Sequence, residues 1–290
     1  MAQQTNTQMC NAWIFLNEDE PKVNGQRLLY TDPGSSYQRL IDKNVYQAVD
    51  ILFLCFAVIT PTQNGSFTLA MGNGDHPSGA NPPTYTNQDY MNFIIRDARK
   101  NNPNIKICMT LLWGEQDEIS QIFSSGTGTD EDKANAFAAN LVDYLNQYAL
   151  DGLDIDWEYP ISLTPKAQMT TFLNAVGAAF RAETSRKLYL TLAPVTAENL
   201  DASVVNANVD FLSMQLYGGT SPDAYTSIGI DQNLLAYGAK FESSYQTAAE
   251  AYSGYQKGGY KIATQWRLNS DNFEFEQDNQ VELYKLIHGG

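Results

Sequence analysis

The feature that most constrains this chain is a repeated alternation of two hydrophobic periods. Eight apolar, β-rich runs recur along the sequence: Ala12–Leu16, Ile51–Thr60, Ile105–Leu112, Gly152–Trp157, Leu188–Ala193, Val209–Tyr217, Leu234–Phe241 and Tyr260–Trp266. Near-continuous apolar runs of this length read as strands covered on both faces. Between several of them lie segments of helical period with start signals. Thr86 and Asp89 have capping-box spacing, followed by Tyr90, Phe93 and Ile94 on one face. Thr129 and Asp132 repeat the box before a stripe of Ala134, Phe137, Ala138, Leu141, Leu145 and Tyr148. Thr164 is expected to cap a third helix with Pro165 at its first position, burying Met169, Phe172, Leu173, Val176 and Phe180. Eight strands alternating with helices predict the α/β class and a single (β/α)8 TIM barrel. A doubly wound open sheet is the competing architecture, weakened because no glycine-rich dinucleotide loop follows the first run.

Length and charge narrow the class further. With 290 residues, 43% of them hydrophobic, the chain is expected to form one domain over residues 1–290. The formal net charge is −15, from 33 acids against 18 bases. That balance excludes general nucleic-acid affinity and docking on an anionic membrane, both of which need Lys and Arg. The longest apolar run, Ile51 to Ile59, is nine residues, against the ~20 that a spanning helix needs. The polar start, Met1 to Gln8, holds no apolar signal core, so the chain is either cytosolic or a secreted protein whose signal peptide is already removed; secretion is the expectation. Three cysteines (Cys10, Cys55, Cys108) are too few and too odd for a disulfide framework, and Cys55 and Cys108 read as buried thiols. His76 and His288 are isolated, with no metal-ligand spacing, so no metal and no cofactor are expected. The Gly-, Asn- and Pro-rich stretch Pro61–Tyr85 reads as a long loop after the second strand, and no linker or repeat interrupts the chain.

The fourth run carries the chemistry. In Asp151-Gly-Leu-Asp-Ile-Asp-Trp-Glu-Tyr-Pro160, the side-chain period of two puts Asp154, Asp156 and Glu158 on one face and Leu153, Ile155 and Trp157 on the other. In a barrel the acids would point inward and rise to the C-terminal mouth. Neighbouring carboxylates are then ~7 Å apart along the strand. Burial and mutual repulsion raise carboxylate pKa values, so at least one of the three is expected to hold a proton at neutral pH. Stability alone would not place them there. A calcium loop would need Gly at its sixth position, where this chain has Tyr159.

This segment resembles the D-x-x-D-x-D-x-E signature of glycoside hydrolase family 18, which contains chitinases and endo-β-N-acetylglucosaminidases on a (β/α)8 barrel. The resemblance implies Glu158 as the general acid and the substrate's own 2-acetamido oxygen as the nucleophile, a substrate-assisted exception to the two-carboxylate scheme. It implies that Asp156 orients the acetamide, that Asp154 shares a proton with Asp156, and that Asp151, with Gly152, is structural at the start of the strand. In Ser213-Met-Gln-Leu-Tyr-Gly218, Tyr217 matches the tyrosine that would hydrogen-bond the acetamide carbonyl, or it is a core residue. Gln215 and Gly218 stand where chitinases often carry Met and Asp, resembling the Gln-x-Tyr of other branches. Trp266 matches the tryptophan at the floor of the sugar site, with plain core as the alternative. Trp113 departs from the usual Ser-x-Gly-Gly and is either a further sugar platform or packing. Tyr189, Thr191 and Ala193 share one parity on the fifth strand, and small residues there leave room for the acetamide methyl.

The implied function is retaining cleavage of β-1,4-linked N-acetylglucosamine in chitin or chitooligosaccharides. Cleavage of the N-glycan chitobiose core is the alternative, and a catalytically inactive lectin or inhibitor on the same barrel is a further one. The implied partner is an N-acetylglucosamine-containing oligo- or polysaccharide, and the protein is expected to be a monomer.

Overall fold

The computed structural model describes residues 8–16, 22–23, 26–71, 85–111, 118–124, 126–158 and 164–289. Among these residues, eight strands alternate with helices: β1 (Met9–Phe15), α1 (Ser36–Asp42), β2 (Ile51–Pro61), α2 (Asn87–Asn101), β3 (Lys106–Leu111), α3 (Glu118–Ser124), α4 (Asp130–Gln147), β4 (Gly152–Trp157), α5 (Lys166–Ala182), β5 (Tyr189–Pro194), α6 (Ala202–Asn208), β6 (Phe211–Met214), α7 (Pro222–Thr226), β7 (Leu235–Lys240), α8 (Ala248–Lys257), β8 (Ile262–Trp266) and α9 (Phe273–His288). This is the (β/α)8 barrel that the sequence pattern predicts. None of the described helices is long and apolar enough to cross a membrane.

The chain divides into two compact units that interleave in sequence. One contains Ala57–Ala70 and Cys108–Ala236; the other contains Asn6–Phe56, Met71–Ile107 and Tyr237–Gly290. In the first, β3, β4, β5 and β6 pair in that order, all parallel. In the second, β2 pairs with β1, β1 with β8 and β8 with β7, again all parallel. Parallel strands flanked by helices must be apolar on both faces. Ile51, Leu52, Phe53, Leu54 and Cys55 are accordingly all buried, as are all six residues of β4.

The helices form where their caps and stripes require. Thr86 and Asp89 close a reciprocal box at the start of α2, and Thr129 and Asp132 do the same at α4. Thr247 and Glu250 make a third box at α8. The apolar stripes of α4 and α5 are buried at the anticipated positions except Tyr148, which is half-buried as the C-cap of α4, and Phe137 meets Phe172 with ring centroids 5.5 Å apart. Burying each such ring stabilises the unit by roughly 1.5–3 kcal/mol.

Three local expectations are corrected. Pro165, not Thr164, is the N-cap of α5; its φ of −57° with ψ of 149° suits an extended cap, so the helix starts at Lys166 and Thr164 is buried ahead of it. The expected strand Val209–Tyr217 stops at Met214, and Leu216–Gly218 turns as a 3-10 segment closed by Gly219 at φ +90°. The loop expected over Pro61–Tyr85 holds a short strand, Phe67–Met71, reached by a turn in which the Thr62 N–H donates to the Ser66 carbonyl at 2.8 Å. His76, Leu112, Trp113, Tyr159 and Pro160 lie outside the described residues.

Candidate active site

The site grows from β4. Its register places Thr110 of β3 and Thr191 of β5 on either side of Asp154, and Ala193 beside Asp156. Gly152 makes this closeness possible at the strand's start. A Cβ there would sit 2.2 Å from the Tyr189 carbonyl oxygen, so a larger residue would push β5 away. Asp151, just before it, forms an ion pair with Arg186 at 3.7 Å, and its carbonyl accepts from the Tyr189 N–H at 2.8 Å.

Side-chain parity follows the strand. Leu153, Ile155 and Trp157 are buried in one direction, and the Trp157 indole N–H donates to the Glu198 carbonyl at 3.0 Å. Asp154 is fully buried and accepts from the Thr191 hydroxyl at 2.6 Å and the Thr110 hydroxyl at 3.1 Å. Two hydroxyl donors satisfy this buried carboxyl. Asp156 is also buried, and Glu158, just beyond the strand, is half-buried. Gln215 joins these two. Its amide nitrogen donates to Glu158 Oε1 at 2.7 Å, to Asp156 Oδ1 at 3.1 Å and to the Ala193 carbonyl at 3.1 Å. With two N–H groups for three acceptors, one of these bonds is shared.

Burial pushes the Asp156 carboxyl well above the usual carboxylate range. The charges of Glu158 and Asp154 push it the same way, as does its hydrogen bond with Glu158, while the Gln215 N–H opposes them. The Asp156 carboxyl thus has a raised proton affinity beside Glu158, to which Gln215 links it. Chemically, this is a short proton relay beside a carboxyl at the end of a strand. Among the described residues, no group of three His, Cys, Asp or Glu side chains is arranged to hold a metal ion.

The structure thus brings together Asp154, Asp156, Glu158 and Gln215. Tyr217 lies in the 3-10 turn beyond Gln215 and is half-buried. Trp266 belongs to the second unit, where it ends β8 among Trp13, Phe15 and Phe56. The roles of Thr110 and Thr191 as donors to Asp154 were not foreseen. Neither residue has a motif of its own; the signal is cross-strand register, which a single sequence does not print. The role of Gln215 was seen as substrate contact, whereas its amide is bonded to the two acids and to a backbone carbonyl.

A sequence profile of Glycosyl hydrolases family 18 matches residues 26–263. Chitinase A1 of Niallia circulans is 26% identical over 140 residues, 42% of this chain and 19% of that protein. The chain spans less than two fifths of the length of the leading curated relatives it matches. The crystal structure of a class V chitinase from Nicotiana tobaccum matches with a TM-score of 0.69 at 13% identity, covering 97% of this chain and 99% of that one. A chitinase-like agglutinin from Robinia pseudoacacia matches with a TM-score of 0.64 at 12% identity, covering 95% and 99%.

Proposed function

The chain belongs to glycosyl hydrolases family 18, and on that premise we propose that it is a retaining glycosidase that cleaves β-1,4-linked N-acetylglucosamine in chitin or chitooligosaccharides. The observation that supports this reading is the row of Asp154, Asp156 and Glu158 on one strand face, with the Gln215 amide bonded to both Asp156 and Glu158 and the Asp156 carboxyl pushed well above the usual carboxylate range by burial and neighbouring charge. Glu158, in its protonated form, gives its proton to the glycosidic oxygen as the bond to the leaving sugar breaks, and is left as a carboxylate. The 2-acetamido carbonyl oxygen of the sugar on the non-reducing side attacks the anomeric carbon and closes an oxazolinium ring. Asp156 orients the acetamide N–H and stabilises the positive charge that develops there, a contribution made only as the transition state forms. Water then opens the ring, giving its proton to Glu158, and configuration is retained. Asp154 shares a proton with Asp156, so that Asp156 can face the acetamide as a carboxylate when the positive charge develops. Tyr217 donates to the acetamide carbonyl, and Trp266 offers an aromatic face to the apolar C–H face of a pyranose. A polymeric substrate of this class implies secretion.

The Gln215 and Gly218 departures favour a second reading, cleavage of the N-glycan chitobiose core. The likeness to an agglutinin raises a third, binding without turnover, against which Glu158 is intact. One experiment addresses all three. Chitooligosaccharides, their deacetylated forms, cello-oligosaccharides and a high-mannose glycoprotein are digested side by side, with product anomers followed by NMR. The expected result is cleavage of acetylated chitooligosaccharides alone, with the β-anomer released first. Hydrolysis of cellotetraose or first release of the α-anomer would overturn the substrate-assisted mechanism. Cleavage of only the glycoprotein would move the substrate to the N-glycan core, and binding without any turnover would make the protein a lectin.

A further inference from the structure

We propose that Glu276 is a positioning residue for Trp266: it clamps the segment leaving β8 and thereby holds the indole ring in the orientation in which it meets a sugar. The inference rests on the reading of Trp266 as a sugar platform. All of its parts lie within the second unit.

Every residue from Arg267 to Ser270 is tied down. The Gln265 amide donates to the Arg267 carbonyl at 2.6 Å, and the Leu268 N–H donates to the Trp13 carbonyl at 2.9 Å. Asn269 brackets Phe15, accepting from its N–H and donating to its carbonyl, both at 3.0 Å. Gln277 of α9 donates to the Leu268 carbonyl at 3.0 Å. Ser270 ends the run on Glu276: its N–H donates to Glu276 Oε2 at 3.0 Å, its hydroxyl donates to Oε1, and its oxygen accepts from the Asn272 N–H at 3.2 Å. Phe15, bracketed in this way, packs edge-on against Trp266 with centroids 5.4 Å apart. Glu276 is fully buried, a costly place for a carboxyl with no part in a reaction, unless it fixes something.

Its charged neighbours give the clamp a readout. Arg267, directly after Trp266, pairs with Glu242 at 3.2 Å and covers the Phe15 ring at 4.2 Å. Glu242 also holds Lys240 at 3.0 Å. Burial raises Glu276 to about 7, with Glu242 pushing it up and Arg267 and the two Ser270 bonds pulling it down. Below that pH, Glu276 is neutral and Arg267 stays on Glu242. Above it, a new buried anion repels Glu242 and draws Arg267 from the ring that backs Trp266.

The test uses the full chain. Subtracting the emission of Trp266→Phe from that of the unaltered protein isolates Trp266 among the four tryptophans. This signal, and its quenching by acrylamide, are followed from about pH 5.5 to 8.5 in the unaltered protein, Glu276→Gln and Glu276→Ala. The expected result is a transition in the unaltered protein near pH 7 that is absent in Glu276→Gln, an amide that accepts from the Ser270 N–H and donates its own N–H to the Ser270 oxygen in a reversed second bond, but does not ionise. Glu276→Ala should show raised quenching at every pH. It should also show a KM for chitooligosaccharides about three- to tenfold higher with kcat nearly unchanged, the loss expected from one misplaced aromatic contact. A Trp266 signal identical in all three proteins overturns the proposal, and so does a transition that persists in Glu276→Gln. Should Glu276→Ala not fold, the glutamine variant decides alone. If Trp266→Ala leaves KM unchanged, the platform reading fails, while the emission arm still decides whether Glu276 orients the ring.

Discussion

Asp156 and Glu276 are both buried carboxyls whose proton affinity is raised first by burial, yet they keep opposite company. Asp156 faces two other acids and a single amide donor. Glu276 faces a backbone N–H, a hydroxyl and, at longer range, Arg267 together with a single acid, Glu242. The first environment raises a carboxyl's proton affinity next to another carboxyl; the second ties a carboxyl into a loop. Burial alone therefore does not identify a reactive acid. The neighbours do: like charges in a row point to proton transfer, and donors from a single loop point to architecture.

The largest effect should come from the acid row. Glu158→Gln keeps the shape and the bond from Gln215 but has no proton to give, so kcat should fall by about 10²–10⁴-fold while the fold and substrate binding persist. Near-normal turnover, measured on a chromogenic chitobioside, would remove Glu158 from the acid's role and leave the contrast with Glu276 without chemical meaning.

Asp156→Asn should come next. Its proposed work is on charge that appears only as the acetamide attacks, so kcat should drop about 10²-fold, with a smaller change in KM. Steady-state kinetics on N-acetylated oligomers separate the two parameters. A change confined to KM would make Asp156 a ground-state contact only.

Glu276→Gln sharpens the other side through stability. The folded pKa of about 7 lies above the unfolded value near 4.5. The neutral form is the one the fold prefers, so the stability tied to this group is fully present below pH 4.5 and is lost as pH rises through 7. A shift of this size corresponds to about 3 kcal/mol. Urea melts at pH 4.5 and pH 8 should show that decline in the unaltered protein, and a decline smaller by about that amount in Glu276→Gln. Equal declines would mean that Glu276 does not titrate within this window.

The acid-row side of this contrast is readable in the residues alone, and the limit is physical. The parity of Asp154, Asp156 and Glu158 was legible because a strand's period is two, and the apolar partners Leu153, Ile155 and Trp157 set which face was which. The boxes at Thr86 and Thr129 were legible because capping is local. Local chemistry is ambiguous where an apolar run ends in a turn. The run Val209–Tyr217 is apolar enough for a strand, but the chain turns after Met214, and Gln215 reaches the acids from that turn. Glu276 was not legible at all. Its partner Ser270 is only six residues away, but its significance comes from Asn269 bonded to Phe15, 254 positions off in sequence. Hydrophobic period carries no information about such a pairing.

The smallest expected effect tests whether the row of acids is one unit or three separate groups. Thr191 donates to Asp154 at 2.6 Å, and Thr110 donates at the longer 3.1 Å. Thr191→Val keeps the β-branched shape and removes the shorter bond, leaving a buried carboxylate with one hydroxyl donor fewer. A lost bond to a buried charged group costs about 1–3 kcal/mol, which thermal melts should register. If Asp154 acts through Asp156, activity should fall with it, by a few-fold rather than by orders of magnitude, since Thr110 still supports the charge. Thr191→Ser restores the hydroxyl and should recover both quantities. Stability lost with activity untouched would mean that Asp154 is tied to the fold in the same way as Glu276, and that the chemistry is confined to Asp156 and Glu158. Loss of both, recovered together by serine, would join the threonines of β3 and β5, through Asp154 of β4, to the chemistry at Asp156.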